Sequence, residues 1–275
     1  MQNKLNFAFF GTPDVASETL EILKGAGYLP SLIITSPDAR AGRGMKVQVS
    51  PVAKFAKKNN IECLKPESNA ELLKIFSSEG KFQEVKLFIV VAYGKIVPEK
   101  ILNLPENGSI NIHYSLLPKY RGASPVESAI LNGDTETGVT IQKMVYKMDA
   151  GAIIAQEKIN IFATEHATEL RGRMIKIGGE LLVKTLPKIG ELKETPQDES
   201  RVTTTQKIKK EDGLIDPTGD PVQNYNKFRA YSAWPRIYFF KDGKRIIITE
   251  ATLENGKFVI KKILPEGKKE IVYKN

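Results

Sequence analysis

Three residues of this chain have the types and the placing to do chemistry together. In INIHYSLLPKYRG, residues 110–122, Asn111 and His113 stand two positions apart in a run that reads as a strand. Side chains alternate faces along a strand, so the amide and the imidazole share one face while Ile110 and Ile112 turn into the core. The third residue is Asp149 in KMDAG, where an apolar run is interrupted by a carboxylate followed by two small residues that leave room for a ligand. A carboxylate near a histidine orients the ring and stabilises its protonated form. Taken singly, Asn111 and His113 are no more than buried polar groups and Asp149 is a turn residue. What joins them into one polar site is their position, since Asn111 and His113 lie where a buried strand gives way to the loop SLLPKYRGASP. Ligands of open α/β sheets bind at such carboxyl ends of strands.

The elements that must position these residues follow from apolar periodicity. FAFFG, residues 7–11, is a fully apolar run ending in glycine, and TPDVASETLEILKGAG after it has helical spacing and a glycine-rich stop, which predicts a strand, a turn and a helix. Leu32 to Thr35 predicts a second strand, Val52 to Lys58 and Glu71 to Phe76 predict helices, and Leu87 to Ala92 a strand buried on both faces. Ile110 to Tyr114 is the polar-bearing strand, followed by a helix over Pro125 to Leu131. Alternating strand and helix with continuous apolar strands predicts an α/β fold, a Rossmann-like mostly parallel sheet with flanking helices.

After residue 138 the pattern changes to two strand-like runs around the polar turn Asp149-Ala150-Gly151. Residues 168–187 have helical apolar spacing and end at Pro187, which closes a first domain spanning 1–190. TPQDESRVTTTQKIKKEDG is polar and proline-punctuated and reads as interdomain linker, placed at 191–207. Beyond it, from 208 to 275, short β-rich runs are joined by Asp242-Gly243 and Asn255-Gly256, strong hairpin signals that predict a small β domain of the barrel type.

Composition sets the class. With 41% hydrophobic, 27% charged and 8% aromatic residues in 275, the chain reads as an ordinary globular protein large enough to bury a substantial core. No apolar run approaches the roughly 18 residues that span a bilayer, and the start passes straight into a strand without signal-peptide anatomy; no membrane association and a cytoplasmic location are expected. A single cysteine, Cys63, excludes an internal disulfide and leaves too few thiols for a zinc site, so no metal is expected. The net charge of +9 is unevenly held: residues 201–275 carry 16 Lys and Arg against 9 Asp and Glu, leaving 25 against 23 before them. A basic module on a near-neutral one points to a polyanionic partner, with phosphate contacts supplying affinity.

TSPDARAGRGMKVQVSP, residues 35–51, is long for a connection inside an α/β unit, rich in glycine, and carries Arg40, Arg43 and Lys46 without apolar period. Gly42 and Gly44 follow no strand-turn-helix junction and are no dinucleotide fingerprint. Clustered cations on a flexible backbone suit an RNA backbone or groove.

SLLPKYRG, preceded by NIH and followed at Asp149 by the DAG turn, resembles the family of 10-formyltetrahydrofolate-dependent formyltransferases, which formylate amines. The likeness spans essentially the whole chain. FFGTPDVAS, SPDARAGRGMK, VVAYGKIVP, KKEDGLID and FRAYSAWP are similar to the branch of that family that acts on methionyl-tRNA. SLLP alone is shared with amino-sugar formyltransferases and folate hydrolases, and the GRG loop separates them. The resemblance implies a Rossmann-type N-terminal domain, a C-terminal barrel resembling an OB fold, and 10-formyltetrahydrofolate as formyl donor. It implies a folate pocket lined by Val91, Tyr93, Gly94 and the loop Ser115, Leu116, Leu117 and Pro118, with Asn111, His113 and Asp149 performing the transfer. It further implies that Arg43 enters the end of the tRNA acceptor stem and that Lys207, Lys209 and Lys210 track the tRNA backbone, that the partner is charged initiator tRNA, and that the enzyme is a monomer. A formyltransferase for nucleotide-linked amino sugars leaves the GRG loop and the basic C-terminal part unexplained; a non-catalytic tRNA-binding protein has no use for the Asn, His and Asp set.

Three positions depart from the family pattern. Tyr114 stands where small residues are common, Arg236 follows Trp234-Pro235 where glycine is usual, and the sequence stops at Asn275, before the family's usual end, which implies a shortened barrel.

Overall fold

A computed structural model describes residues 5–41, 46–77 and 82–274. Two compact units divide the chain, each assembled from separated segments: Met1–His113, Val139–Glu157 and Met174–Ser200 form one, and Tyr114–Gly138, Lys158–Arg173 and Arg201–Asn275 the other.

From the N-terminus the elements run β1 (Phe7–Gly11), α1 (Asp14–Gly25), β2 (Leu32–Ile34), β3 (Ala39–Ala41), β4 (Lys46–Gln48), α2 (Pro51–Lys58), β5 (Glu62–Leu64) and α3 (Asn69–Phe76). Next come β6 (Leu87–Val91), α4 (Glu99–Leu102), β7 (Ser109–His113), β8 (Arg121–Gly122), α5 (Pro125–Leu131), β9 (Glu136–Lys143), β10 (Ile153–Asn160) and α6 (Ala167–Thr185). The remainder is β11 (Thr204–Thr205), α7 (Pro221–Ala230), β12 (Tyr238–Lys241), β13 (Lys244–Glu254), β14 (Lys257–Pro265) and β15 (Ile271–Val272).

The main sheet has the order β10-β9-β7-β6-β1-β2-β5. Its centre is parallel, β5 on β2, β2 on β1, β1 on β6 and β6 on β7, whereas β9 pairs antiparallel with β7. Every residue of β1 and β6 is buried, which is why these strands read as unbroken apolar runs: both faces of a parallel sheet are covered. The expected Rossmann-like, mostly parallel layer is therefore present. Element ends shifted by a residue or two for local reasons. Helix α2 begins at Pro51 because the Ser50 hydroxyl accepts from the Ala53 N–H at 3.0 Å, and α3 begins at Asn69 because Ser68 does the same for Glu71 at 3.2 Å. Strand β6 stops before Ala92, whose φ of 45° leaves the extended region.

On one face of the sheet lies an aromatic knot. The Phe10 ring meets Phe88 at 5.1 Å, Tyr93 at 5.6 Å and Phe76 at 6.2 Å, inside a core that also takes Leu32, Ile34, Leu72 and Ile101.

The second unit carries the C-terminal β structure, an antiparallel sheet in the order β12-β13-β14-β15. Both predicted hairpins form. Asp242 and Gly243, then Asn255 and Gly256, all have positive φ, the pairing that lets a two-residue turn follow the twist of its strands. Helix α7 was not anticipated. It starts at Pro221 with the Asp220 carboxylate accepting from the Gln223 N–H at 2.7 Å, and its buried face contains Asn224, Asn226 and Arg229, polar residues that hide the usual apolar stripe. Within the segment read as linker, β11 pairs in parallel with β8. The basic loop read as aperiodic also contains structure, since β3 and β4 pair antiparallel; Arg40 and Lys46 fall in these strands, and Arg43 lies outside the described residues.

Replacing Phe10 by alanine empties the centre of the aromatic knot. Phe10→Ala is expected to destabilise the protein by about 3–5 kcal/mol, measured as a lower urea midpoint with an unchanged m value.

Candidate active site

The sheet sets the site by register. In β7 every residue is buried except Asn111, which is partly exposed, and opposite it across the β7 and β9 pair stands Gln142, with Thr140 opposite His113. The Asn111 Nδ2 donates to the Val90 carbonyl of β6 at 2.9 Å, which fastens the amide to the neighbouring parallel strand. Gln142, only 2% exposed, donates from Nε2 both to Asn111 Oδ1 at 3.3 Å and to Asp149 Oδ1 at 2.9 Å. Asp149 Oδ2 lies 3.6 Å from His113 Nδ1. Asn111, His113 and Asp149, 38 residues apart at the extremes, are thus gathered into one group within the first unit.

The turn that presents Asp149 is held in an unusual shape. Asp149 has φ of 51°, a left-handed conformation that aspartate tolerates better than most residues. Two residues on, a Cβ at Gly151 would fall 1.7 Å from the Lys143 carbonyl oxygen, so only glycine fits. Gln197 fixes the turn from outside, its Nε2 donating to the Asp149 carbonyl at 2.8 Å and the Gly151 carbonyl at 2.7 Å.

The Nδ1 side of the His113 ring is turned to the carboxylate, which orients the imidazole. The Asn111 amide has a second N–H besides the one given to Val90. The group therefore offers hydrogen-bond donors and a carboxylate in nearly dry surroundings, where His113 is 6% exposed and electrostatic contacts are strengthened. Among the described residues, no cluster of three or more His, Cys, Asp or Glu side chains is placed to hold a metal, and no helix is long and apolar enough to cross a membrane.

The other expected residues are distributed as follows. Val91 and Tyr93 are buried, and the Tyr93 ring belongs to the aromatic knot; its hydroxyl is buried without a partner, and burial pushes its pKa up to about 12. Their exposed neighbours Ala92 and Gly94, both with positive φ, face outward just beyond the carboxyl end of β6. A Cβ on Gly94 would meet nothing within 4 Å, so this end of the sheet has open space beside it. Ser115, Leu116, Leu117 and Pro118 belong to the second unit, where the Ser115 hydroxyl donates to the Lys119 carbonyl at 2.6 Å and the peptide before Pro118 is cis. The Tyr120 N–H after this loop donates to Thr203 Oγ1 at 2.8 Å. Lys207, Lys209 and Lys210 are exposed on the same unit.

A Rossmann-like sheet with an amide, an imidazole and a carboxylate gathered at its carboxyl edge is the framework of a formyl-group transferase, and the chain matches two sequence models of that class: formyl transferase over residues 4–186 and the formyl transferase C-terminal domain over 207–273. The methionyl-tRNA formyltransferase of Caldanaerobacter subterraneus subsp. tengcongensis is 40% identical over 252 residues, covering 90% of this chain and 80% of that protein. That of Mycoplasmopsis pulmonis is 41% identical over 255 residues, covering 91% and 86%. The chain belongs to the methionyl-tRNA formyltransferase family and is an enzyme. Solved structures share the fold at low identity. A methionyl-tRNA formyltransferase from Clostridium thermocellum superposes with a TM-score of 0.58 at 18% identity, covering 95% of this chain and 98% of that one. An N-formyltransferase from Helicobacter canadensis, solved with folinic acid and dTDP-3-aminofucose, gives 0.68 at 21% identity, covering 91% and 88%.

Sequence reasoning missed Gln142 and Gln197. The first had a signal: Thr140 and Gln142 are polar residues at i and i+2 in a strand otherwise buried from Thr137 to Gln142, mirroring Asn111 and His113. Gln197 had none, since it lies in a polar segment far along the chain. Gln142→Leu keeps the volume and removes the links to Asn111 and Asp149. Its expected effect is a loss of about 10²-fold in kcat with a nearly normal far-UV circular dichroism spectrum, checked by steady-state formylation; full activity would show that the two residues hold position without it.

Proposed function

We propose that this chain transfers the formyl group of 10-formyltetrahydrofolate to the α-amine of methionyl initiator tRNA, giving formylmethionyl-tRNA for translation initiation. The observation that carries this reading is the group of Asn111, Gln142 and Asp149 joined by hydrogen bonds, with His113 3.6 Å from the Asp149 carboxylate, in a chain about 40% identical over nine-tenths of its length to enzymes named for methionyl-tRNA.

The formyl folate supplies an activated formyl group, and the protein supplies position and charge. The open space beside Gly94, just beyond the carboxyl end of β6, suits a flat ring system, with Val91 and Tyr93 as its neighbours in the chain; the family likeness adds Ser115, Leu116, Leu117 and Pro118 to the folate-binding residues. As the neutral amine adds to the formyl carbon, negative charge builds on the formyl oxygen. The second Asn111 N–H meets that oxygen, a donor of a kind typically worth about 3 kcal/mol of barrier. A ring N–H of His113 is the second donor, with the Asp149 carboxylate, 3.6 Å from Nδ1, orienting the imidazole. Asp149 takes the amine proton, directly or through water; as the intermediate collapses, the bond between the formyl carbon and N10 of the folate breaks and N10 takes up that proton, releasing tetrahydrofolate. These groups all come from one chain, so a monomer suffices, working in the cytoplasm.

Residues 201–275 carry 16 Lys and Arg against 9 Asp and Glu, and the exposed Lys207, Lys209 and Lys210 suit phosphates of the tRNA backbone. Arg43, flanked by Arg40 and Lys46 in the loop, reaches the acceptor end.

Two measurements test this reading. Single-turnover formylation of charged initiator tRNA, beside charged elongator tRNA, is expected to favour the initiator, and Asn111→Ala to slow the reaction by about 10²–10³-fold at an unchanged unfolding midpoint; an Asn111→Ala enzyme with full activity refutes the assignment. Arg43→Ala is expected to weaken use of initiator tRNA far more than folate binding, and equal effects on both would remove the loop from tRNA recognition.

A further inference from the structure

The second unit contains a cavity of about 290 Å³ that the proposed reaction does not use, at the lower end of the range for small-molecule sites. Its lining combines polar residues, His166, Ser232, Arg236 and Thr249, with Phe228, Tyr231 and two isoleucines. The His166 Nδ1, Ser232 Oγ and Thr249 Oγ1 atoms are buried with no hydrogen-bond partner among the described residues. Folded proteins pair nearly all such atoms, so three of them around one cavity mark a place where a partner belongs. No carboxylate lines the cavity.

Arg236 supplies the charge, and its backbone is an independent sign that its side chain matters. Its φ is 65°, a left-handed conformation that glycine adopts freely and arginine only at a cost. The chain makes room for it: a Cβ at Gly213 would come within 2.3 Å of the Arg236 carbonyl oxygen. The His166 backbone N–H donates to Glu169 Oε2 at 2.8 Å, and its ring packs edge-on against Phe228 at 5.2 Å. Burial holds the His166 pKa below its usual value, opposed by Glu169 and reinforced by Arg229, so the cation of the site is Arg236.

We propose that this cavity binds a small organic anion made of a planar ring joined to a phosphate or carboxylate, with a nucleoside monophosphate as the type. Arg236 pairs with the anionic group, Ser232, Thr249 and His166 hydrogen-bond to it, and the ring lies against Phe228 and Tyr231. A bare anion leaves the aromatic walls uncovered; a neutral ring leaves the guanidinium and three polar atoms unanswered.

The test is calorimetric titration of the full chain, saturated with folate, with AMP, adenosine and inorganic phosphate. AMP is expected to bind at least about 10-fold tighter than either fragment, the loss that follows from removing a charge-assisted contact or a stacked ring. Arg236→Gly is expected to weaken AMP by a similar factor without lowering the thermal midpoint, because it also relieves the left-handed backbone; a Ser232→Ala, Thr249→Val double variant should weaken it too. AMP binding no tighter than phosphate, or equal binding by Arg236→Gly, overturns the proposal. Competition with uncharged initiator tRNA then separates the sources: displacement identifies a nucleotide of the bound RNA as the occupant, and its absence identifies a free nucleotide, the site standing in both cases.

Discussion

The two hydrogens of the Gln142 amide nitrogen go to acceptors that belong to different parts of the chain, Asn111 Oδ1 on β7 and Asp149 Oδ1 on the turn beyond β9. Everything the site can do depends on this fork. A buried amide that is fully paired holds one orientation, and by holding it Gln142 fixes which way the Asn111 carboxamide faces and how close the Asp149 carboxylate comes to His113. The fork in turn depends on backbone: Asn111 is fastened to Val90 on one side, and the Asp149 turn is clamped by Gln197 and by the room that Gly151 leaves against Lys143.

An antiparallel strand added to a parallel sheet makes this possible. The parallel centre, β2, β1, β6 and β7, brings strand ends to one edge and covers both faces with apolar side chains. A further parallel strand would arrive after a long crossover. Strand β9 instead returns along β7, so polar residues two apart on one strand meet polar residues two apart on the other, Asn111 with Gln142 and His113 with Thr140.

How much of this could be read from the sequence differs from residue to residue, for physical reasons. FAFFG and LFIVV were legible because strands covered on both faces have no polar alternation to confuse the pattern. The two C-terminal hairpins were legible because Asp-Gly and Asn-Gly accept the positive φ that tight turns demand. Helix α7 escaped because its buried face holds Asn224, Asn226 and Arg229, paired with one another or with backbone oxygens: Arg229 Nη2 donates to Asn226 Oδ1 at 2.7 Å and Asn224 Nδ2 to the Asp216 carbonyl at 2.7 Å. Periodicity counts apolar residues and overlooks a buried face built of polar ones. In the site, alternation alone put Asn111 and His113 on one face, but joining Asp149 to them needed a contact across dozens of residues, which no local pattern carries. The family likeness supplied it.

The pairing of β7 with β9 has a consequence for how such an enzyme can change. Facing in a strand has only two values, and each single insertion or deletion flips it for every residue beyond. A one-residue change inside β9 before Thr140 would send Thr140 and Gln142 to the opposite side of the sheet and bring Val139 and Ile141, now buried, towards Asn111 and His113. Length variation along this lineage is therefore expected to respect a parity rule in β9, with changes arriving in twos, while the C-terminal hairpin tips remain free to vary one residue at a time.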